Sequence, residues 1–556
     1  RHHLPDSHWD YGYASLLANT QLKNTPSVMV LKSQTEILNY EAFAKVLRTH
    51  TNESLHIFCD DVRQVKENLL AYSGEKIGAL EQAVIHYQLS AQKLETSEQL
   101  MQEFFPDLSE RLLRIFKQEP DILQTVMAEY EAEKASLFKS IEAFAFTAAS
   151  DLPEGIVLAT SSAEIASSTH RDDKTVDIQR REVRHMIDWI CSKYGERDAV
   201  FLLENIKNEL FKRCGLSIPE KILEEELIFT LKQGFLIPVD GKMIDLQPGF
   251  DFRERLVTTR EMLLLEKACI RLTLNAQKVR QSILAKDDPA LLSIDQSQFL
   301  TKGQKSALEL ILTTGDGVVG IQGVAGVGKT TLLRTLNQHA LEAGYELLGL
   351  SNGTKAREIL QEGSRNPDSE NPFLQLGIKT MTTRKFLIHC GKLLKDNEAL
   401  AKAEYGGPKI LILDESSFAS TRDMFLLMSY AAKLNILLVM MGDYKQLSSI
   451  EAGRIFYVLL GSKMQSVAMT ENVRFNSAKA LEIMQAIYKG EIGDVLEKLG
   501  VSLIEIPERE ERLQYIANFY LENDANSRKK ILVITPLNKD KAFVNDAIHV
   551  GLKERG

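Results

Sequence analysis

The sequence of 556 residues has little cysteine, no long apolar run and no excess of basic residues. Its five cysteines are widely scattered, with no Cys-x-x-Cys pair, which excludes a disulfide scaffold and favours reduced intracellular thiols. No run approaches the ~18 consecutive apolar residues that span a bilayer, and the N-terminus lacks a signal-peptide pattern. These absences predict a cytoplasmic protein without membrane insertion.

The charge balance excludes a uniformly basic coat for nucleic acid. Lys and Arg total 67 against 76 Asp and Glu, a formal net charge of −9. A local basic groove stays compatible with this sum, because association depends on the potential at the docking surface. The charge therefore constrains where a nucleic acid could bind, and not whether it binds.

Length and composition indicate several ordinary globular domains. Hydrophobic residues make up 44% and charged residues 26% of the sequence. At ~150 residues per domain, three or four domains are expected. The chain starts with Arg1 and stops in a predicted helix, so we expect a fragment at both ends.

A small, polar segment around Ala159–Thr169 has linker composition and predicts a domain boundary. Before it, Val28–Leu31 and Leu55–Cys59 are typical of short buried strands. The predicted units are an N-terminal α/β plus helical accessory region (1–150), a linker (151–173), a helical, winged-helix-like domain (174–290), an α/β domain (291–475) and the incomplete start of another (476–556).

The third unit combines helical spacing with a predicted hairpin, in which Phe235–Val239 pairs with Lys242–Leu246 around Asp240-Gly241. Helices followed by a small β-wing resemble winged-helix modules. Such modules serve either as nucleic-acid adaptors or only as packing domains, and the sequence leaves both open.

From about Ser297 onward, short apolar runs alternate with helical segments. This alternation predicts a parallel sheet covered by helices on both faces, which is an α/β fold. The runs are Gly317–Ile321, Glu346–Leu350, Ile410–Leu413, Ile436–Met441 and Ile531–Thr535.

The strongest motif is Gly323-Val-Ala-Gly-Val-Gly-Lys-Thr330, a P-loop between a predicted strand and a predicted helix. Its glycines let the backbone N–H groups surround phosphates at a helix N-terminus. Lys329 would reach the β- and γ-phosphates and Thr330 would ligate Mg²⁺. The predicted nucleotide-binding residues of this segment are Gly323, Gly326, Gly328, Lys329, Thr330 and Thr331.

Two acidic residues follow the apolar run Lys409–Leu413. Asp414 is the expected second Mg²⁺ ligand, since magnesium takes few protein ligands and keeps several waters. Glu415 is placed to orient or deprotonate the attacking water. Gln446, after a third apolar strand and Gly442-Asp443, is the candidate sensor of the γ-phosphate. Upstream, Gln304 could read the adenine edge with its paired donor and acceptor.

The ordered set of these motifs, together with Arg474, resembles superfamily 1 DNA helicases of the RecD-like branch. More narrowly, the segments Gln446–Phe456 and Ile531–Asn545 resemble the helicase portion of conjugative relaxases of the TraI (MobF) type. Tyr194–Phe201 and Leu256–Leu263 are similar to that family's pre-helicase region. The resemblance covers residues 176–556.

The resemblance implies a RecA-like motor domain 1A over 291–475 and the start of a domain 2A over 476–556. It implies that Arg474 is an arginine finger that neutralises charge during phosphoryl transfer. It also implies that single-stranded DNA crosses the top of these domains through contacts that position without reading sequence. The DNA-contact candidates are Ser351, Asn352, Thr354, Lys355, Thr382 and Asn545.

The implied activity is that of an ATP- and Mg²⁺-dependent 5′–3′ DNA helicase or single-strand translocase of superfamily 1B. It would act in plasmid transfer, on single-stranded DNA, with a coupling protein or relaxosome accessory proteins as partners. Since later helicase motifs are missing, full unwinding is expected only of a longer parent. Two alternatives stay open: a RecD-like repair or recombination helicase, and a single-strand-binding or secretion-recognition module on a helicase scaffold.

Overall fold

The computed structural model describes residues 14–16, 25–31, 51–61, 63, 87–88, 121–122, 124–128, 172–215, 217–239, 244–245, 252–253, 255–323, 326–444, 452–471, 482, 503–535 and 537–555. Within these ranges no helix is both long enough and apolar enough to cross a bilayer. The described residues form two large parallel sheets, a three-stranded antiparallel sheet and a two-stranded parallel one.

The helices and strands are numbered in chain order. The N-terminal strands are β1 (Ala14–Leu16), β2 (Thr25–Leu31), β3 (Thr51–Cys59) and β4 (Tyr87–Gln88). Next come α1 (Asp172–Gly195), β5 (Phe201–Leu202), α2 (Leu203–Cys214), α3 (Glu220–Lys232), β6 (Leu236–Pro238), β7 (Ile244–Asp245), β8 (Leu256–Thr259) and α4 (Arg260–Asn275).

The central part comprises α5 (Pro289–Gln296), α6 (Lys302–Thr313), β9 (Val318–Gly323), α7 (Lys329–Glu342), β10 (Glu346–Ser351), α8 (Thr354–Gly363), α9 (Pro372–Leu376), β11 (Lys379–Thr382), α10 (Thr383–Asp396), α11 (Glu398–Tyr405), β12 (Lys409–Leu413), α12 (Thr421–Leu434), β13 (Leu437–Gly442), α13 (Ile455–Leu460) and β14 (Gln465–Met469). The last elements are β15 (Leu503–Glu505), α14 (Arg509–Glu522), α15 (Ala525–Arg528), β16 (Ile531–Thr535) and α16 (Asn538–Glu554).

The six-stranded sheet has the order β11-β10-β12-β13-β9-β14, and every neighbouring pair is parallel. Its four inner strands are largely buried on both faces. In β12, Ile410 and Ile412 pack into one apolar cluster with α6 and α7, whereas Leu411 and Leu413 pack into another with α4, α10 and α12. The continuous apolar runs of the sequence therefore correspond to strands with helices on both sides, which confirms the predicted α/β fold.

The winged-helix module comprises α1 to α4 and a three-stranded antiparallel sheet of order β5-β8-β6. The predicted hairpin is wrong in its second strand: β6 pairs with β8, where Pro238 lies opposite Val257. The segment predicted to pair contributes β7, which pairs in parallel with β4. The sequence favoured pairing between the two strands that are nearest along the chain. In the structure β6 pairs with β8 instead, and this places Val257 of β8 in the buried core of the module.

Helix α4 attaches the winged-helix module to the six-stranded domain. It packs against α12 and α13, and the apolar side chains of all three helices share one core. An ion pair of 2.8 Å joins Arg422 of α12 to Glu261 of α4. The amide of Gln277, just after α4, donates to the carbonyl of Lys463 at 3.0 Å. The module is therefore packed directly onto the domain that carries the P-loop.

The five-stranded sheet is built from both ends of the chain. Its order is β1-β16-β2-β3-β15, and all four pairings are parallel. The predicted strands at Val28–Leu31, Leu55–Cys59 and Ile531–Thr535 all exist. Phe58 of β3 packs in one cluster with residues of α14 and α16. Strands from the predicted first and last units thus share a sheet; the boundaries at 150 and 476 remain predictions.

Candidate active site

The P-loop joins the end of β9 to the start of α7, as predicted. Gly326 and Gly328 have φ of 85° and 77°, a left-handed backbone that residues with a Cβ rarely adopt. Gly328 precedes the first residue of the fourteen-residue helix α7, whose N-terminus carries Lys329 and Thr330. Free N–H groups and partial positive charge at this helix end suit a phosphate. Thr330 and Thr331 are both exposed at the helix start.

Gln304 binds the backbone of this loop through its side-chain amide. Its side-chain oxygen accepts from the Thr301 N–H at 3.0 Å in a capping box at the start of α6. Its amide nitrogen donates to the carbonyls of Val327 and Gly328, at 3.0 and 3.1 Å. Because the side chain is 2% exposed and both amide hydrogens are used, the predicted adenine contact does not match this geometry. The structure instead gives Gln304 the task of holding the P-loop backbone.

The acidic pair after β12 faces the P-loop lysine. The Lys329 ammonium lies 3.7 Å from one carboxylate oxygen of Glu415. The other oxygen of Glu415 is buried and has no hydrogen-bond partner among the described residues. Glu415 also adopts φ of 52°, a left-handed conformation that is unfavourable for a residue with a side chain. A strained acidic residue with an unused acceptor beside the P-loop fits a general base or a water-orienting group.

Asp414 lies at the carboxyl end of the sheet, where its N–H donates to the Leu350 carbonyl of β10 at 2.9 Å. Burial, and to a smaller extent the negative charge of Glu415, raise the pKa of its carboxyl to about 6, while the positive charge of Lys329 opposes the shift. A cation would favour the ionised form. The hydroxyl of Thr330 and the carboxylate of Asp414 are the hard oxygen donors that Mg²⁺ takes, so the residues present fit this metal.

The turn after β13 is tied to the P-loop strand by a residue that the sequence analysis missed. The amide of Gln322 in β9 donates to Asp443 at 2.9 Å and accepts from the N–H of Tyr444 at 3.1 Å. The available signal was a polar residue inside an otherwise apolar strand next to Gly323. Gln446 and Arg474 lie outside the described residues, and their predicted roles stay predictions.

The predicted DNA contacts of β10 and β11 come together at one edge of the six-stranded sheet. Ser351 and Thr382 are register partners at the carboxyl ends of these neighbouring strands. Ser351 is fully buried, and its hydroxyl has no hydrogen-bond partner in the part of the chain that the structure describes, whereas Thr382 caps α10. Asn352, Thr354 and Lys355 are exposed where α8 begins. These residues form a polar edge with one cation, Lys355.

Asn545 is the exception among the predicted DNA contacts. It lies on the buried side of α16, next to Val544, and is 1% exposed. A side chain buried in this way cannot touch a nucleic acid backbone at the surface. The predicted DNA contact at Asn545 is therefore corrected: its place in the structure is within the packing of the five-stranded sheet's helices.

Comparison with known proteins agrees with this site. Residues 299–502 match a family described as AAA domain. The probable conjugal transfer protein TraA of Sinorhizobium fredii is 24% identical over 306 residues, covering 54% of this chain and 25% of that protein. The multifunctional conjugation protein TraI of Escherichia coli K12 is 22% identical over 368 residues, covering 58% of this chain and 19% of that protein.

The chain thus spans a quarter or less of the length of these relatives. A solved structure titled "The structure of PRRSV helicase" shares 15% identity over 28% of this chain and 30% of that one, with a TM-score of 0.18, which is too low to inform the fold. The six-stranded parallel sheet and the AAA match together identify a RecA-like P-loop motor domain. The resemblance drawn from the motifs is confirmed: residues 299–502 match the AAA domain family, and the chain resembles the helicase portion of TraI-type conjugal transfer proteins.

Proposed function

We propose that this chain is an ATP-driven motor that translocates 5′ to 3′ on single-stranded DNA, as part of a conjugative relaxase-helicase of superfamily 1B. The observation that carries the proposal is the meeting of Lys329 with Glu415 at 3.7 Å, at the carboxyl edge of a parallel sheet. A P-loop lysine beside a carboxylate with an unused oxygen is the arrangement that water attack on a γ-phosphate needs. The names of the curated relatives support the setting in conjugation.

Each described residue of the site has a definable task. The N–H groups at the start of α7 and the Lys329 ammonium would bind and orient the phosphates. Glu415 would accept the proton of the attacking water through its unpartnered oxygen. Mg²⁺, held by Thr330 and Asp414, would supply neutralisation of phosphate charge when bound. Gln446 and Arg474 are the proposed γ-phosphate sensor and arginine finger.

The DNA path is proposed to follow the edge formed by Thr382 and the exposed N-terminus of α8, whereas the predicted contact at Ser351 is corrected because its side chain is fully buried. Hydroxyls, a helix N-terminus and the exposed Lys355 suit phosphate contacts, which bind strands of any sequence. We expect Lys355→Ala to weaken binding equally across sequences and to lower the salt slope of affinity by about 1. Binding that depends on sequence would contradict this path.

The motor proposal is tested by ATP hydrolysis with and without single-stranded oligonucleotides. We expect DNA to stimulate hydrolysis by this chain, and Lys329→Ala to abolish it. The matched control is Lys402→Ala, which removes a lysine whose partner is Glu398 on the exposed face of α11. If Lys329→Ala hydrolysed ATP as fast as Lys402→Ala, the motor would not use this P-loop. Polarity is tested by displacement of streptavidin from 5′- or 3′-biotinylated strands.

A further inference from the structure

We propose that Gln322 is a positioning residue for nucleotide hydrolysis, because it holds the turn after β13 against the strand that leads into the P-loop. This inference rests on the proposed hydrolytic function and adds a residue to it. The Gln322 side chain hydrogen-bonds to Asp443 and Tyr444, the two residues that follow β13. Its action would be through the backbone that leaves β13.

The geometry of the contact is specific. Strands β9 and β13 are parallel neighbours in which Gln322 is the register partner of Gly442. From this position the amide nitrogen of Gln322 donates to Asp443 at 2.9 Å. Its amide oxygen accepts from the Tyr444 N–H at 3.1 Å. Both ends of one amide therefore bind the two residues that follow β13.

Because Asp443 is buried, loss of these hydrogen bonds is expected to change the structure of the turn. Asp443 is fully buried, and a buried carboxylate is costly unless donors surround it. An apolar side chain at position 322 would remove one donor from Asp443 and leave the Tyr444 N–H without this acceptor. Loss of one partner from a buried pair costs more than the pair itself contributes, since the remaining group is left desolvated. We expect the turn to move away from β9, so that the Asp443 carboxylate and the Tyr444 N–H can bind water or other groups.

The sequence positions of Gln322 and Tyr444 connect this contact with the residues expected to act in nucleotide hydrolysis. Gln322 directly precedes Gly323, the first residue of the P-loop. Tyr444, on the other side of the contact, precedes the predicted sensor Gln446 by two residues. The Gln322 side chain thus helps to set the distance between the end of β9, which leads into the P-loop, and the end of β13, which leads to the predicted sensor. A misplacement of about 1 Å between reacting groups can cost about a hundredfold in rate.

The turn after β13 has a second support in Arg454. The Arg454 guanidinium donates to the Tyr444 carbonyl at 3.4 Å and lies 4.4 Å from the ring of Tyr457. Tyr444 is therefore held at its N–H by Gln322 and at its carbonyl by Arg454. Two residues before Arg454, the N–H of Ala452 donates to the Glu196 carbonyl of the winged-helix module at 3.1 Å.

The test separates hydrolysis from binding. We expect Gln322→Leu to keep the affinity for a fluorescent ATP analogue within about twofold while turnover falls about ten- to a hundredfold. The matched control is Gln338→Leu, which removes a similar amide-to-carboxylate bond, to Glu342, on the exposed face of α7. Turnover by Gln322→Leu within twofold of the control would overturn the proposal. So would a loss of affinity as large as the loss of turnover, which would indicate damage to the P-loop itself.

A rescue experiment tests the hydrogen bond directly. Gln322→Glu places a second carboxylate opposite Asp443, and we expect turnover to fall. Adding Asp443→Asn restores the hydrogen bond with its direction reversed, because an amide at position 443 now donates to the carboxylate at position 322. The double variant should therefore turn over several times faster than Gln322→Glu alone. A double variant no faster than that single variant would overturn the assignment. Absence of hydrolysis in the unaltered chain would instead reject the proposed function, which keeps the two failures distinct.

Discussion

The two large parallel sheets differ in what lies at their carboxyl edges. The six-stranded sheet ends in a glycine-rich P-loop, Asp414 and Glu415, with a strained backbone at Glu415. The described part of the five-stranded sheet ends in Thr535 and the ion pair of the buried Asp540 with the partly exposed Arg509. A parallel sheet offers an edge for ligands, but the chemistry depends on the loops placed there. We therefore expect charge at the first edge to affect turnover, and charge at the second to affect stability.

The largest expected effect is at the first edge. Glu415→Gln keeps the shape of the side chain but removes the proton acceptor, so turnover should fall by about 10³-fold. Nucleotide affinity and thermal stability should stay close to those of the unaltered chain. Steady-state hydrolysis, with affinity measured separately, checks this result. Hydrolysis that survives the substitution would remove Glu415 from the catalytic role.

The next effect belongs to the five-stranded sheet. Asp540 is fully buried and pairs with the partly exposed Arg509, so Arg509→Ala should leave the Asp540 carboxylate without this donor and destabilise this sheet by about 2 kcal/mol. Hydrogen exchange of residues 503–555 should accelerate, whereas nucleotide affinity should not change. Lys529→Ala, an exposed lysine near the same helices, is the control. If Arg509→Ala lowered turnover without faster exchange, the two edges would not be separate in function.

A smaller effect is expected at the P-loop support. Gln304→Ala removes two bonds to P-loop carbonyls, so the KM for nucleotide should rise about tenfold, which corresponds to about 1.4 kcal/mol. The rise should be equal for ATP and GTP, because the amide faces the backbone and not the base. Gln375→Ala, which loses an exposed amide bond to the Ser369 carbonyl, is the control. A loss confined to ATP would restore the adenine contact that the sequence predicted.

The smallest effect is a gain in stability at Asp414. Its pKa is raised to about 6 from 3.8, so the folded state binds its proton more tightly than the unfolded state does. The stabilisation by protonation is complete below about pH 4 and is lost as the pH rises through 6. At pH 7.5 Asp414→Asn should therefore raise the Tm of the nucleotide-free chain by about 3 °C, and below pH 4 the two proteins should melt alike. Equal Tm values at pH 7.5 would show that the ionised carboxylate is not destabilising.

Much of the six-stranded domain could be predicted from the sequence because its signals are local. The apolar runs of β12 and β13 are continuous, and the glycines of the P-loop have a fixed spacing. The five-stranded sheet was not predictable, since its register joins residues hundreds of positions apart, such as Val28 with Leu532. Neither local periodicity nor propensity encodes such a pairing.

The errors at the site have the same origin. The amide of Gln304 could have faced a base or a backbone, and only the fold places Val327 and Gly328 within its reach. Burial of Asn545 depends on which side of α16 meets the sheet. The partners of Gln322 lie more than a hundred residues away, so its hydrogen bonds were invisible to motif spacing.

The double attachment of Gln304 limits how the nucleotide preference of this protein could be redesigned. Its side-chain amide completes the capping box of α6 and also binds the P-loop backbone. Replacing Gln304 with a residue chosen to contact a different base would therefore weaken both the start of α6 and the P-loop. A designer would do better to start from Phe299, whose side chain is 93% exposed five positions earlier. A change of ring or charge at this exposed position leaves the hydrogen bonds of Gln304 to the P-loop in place.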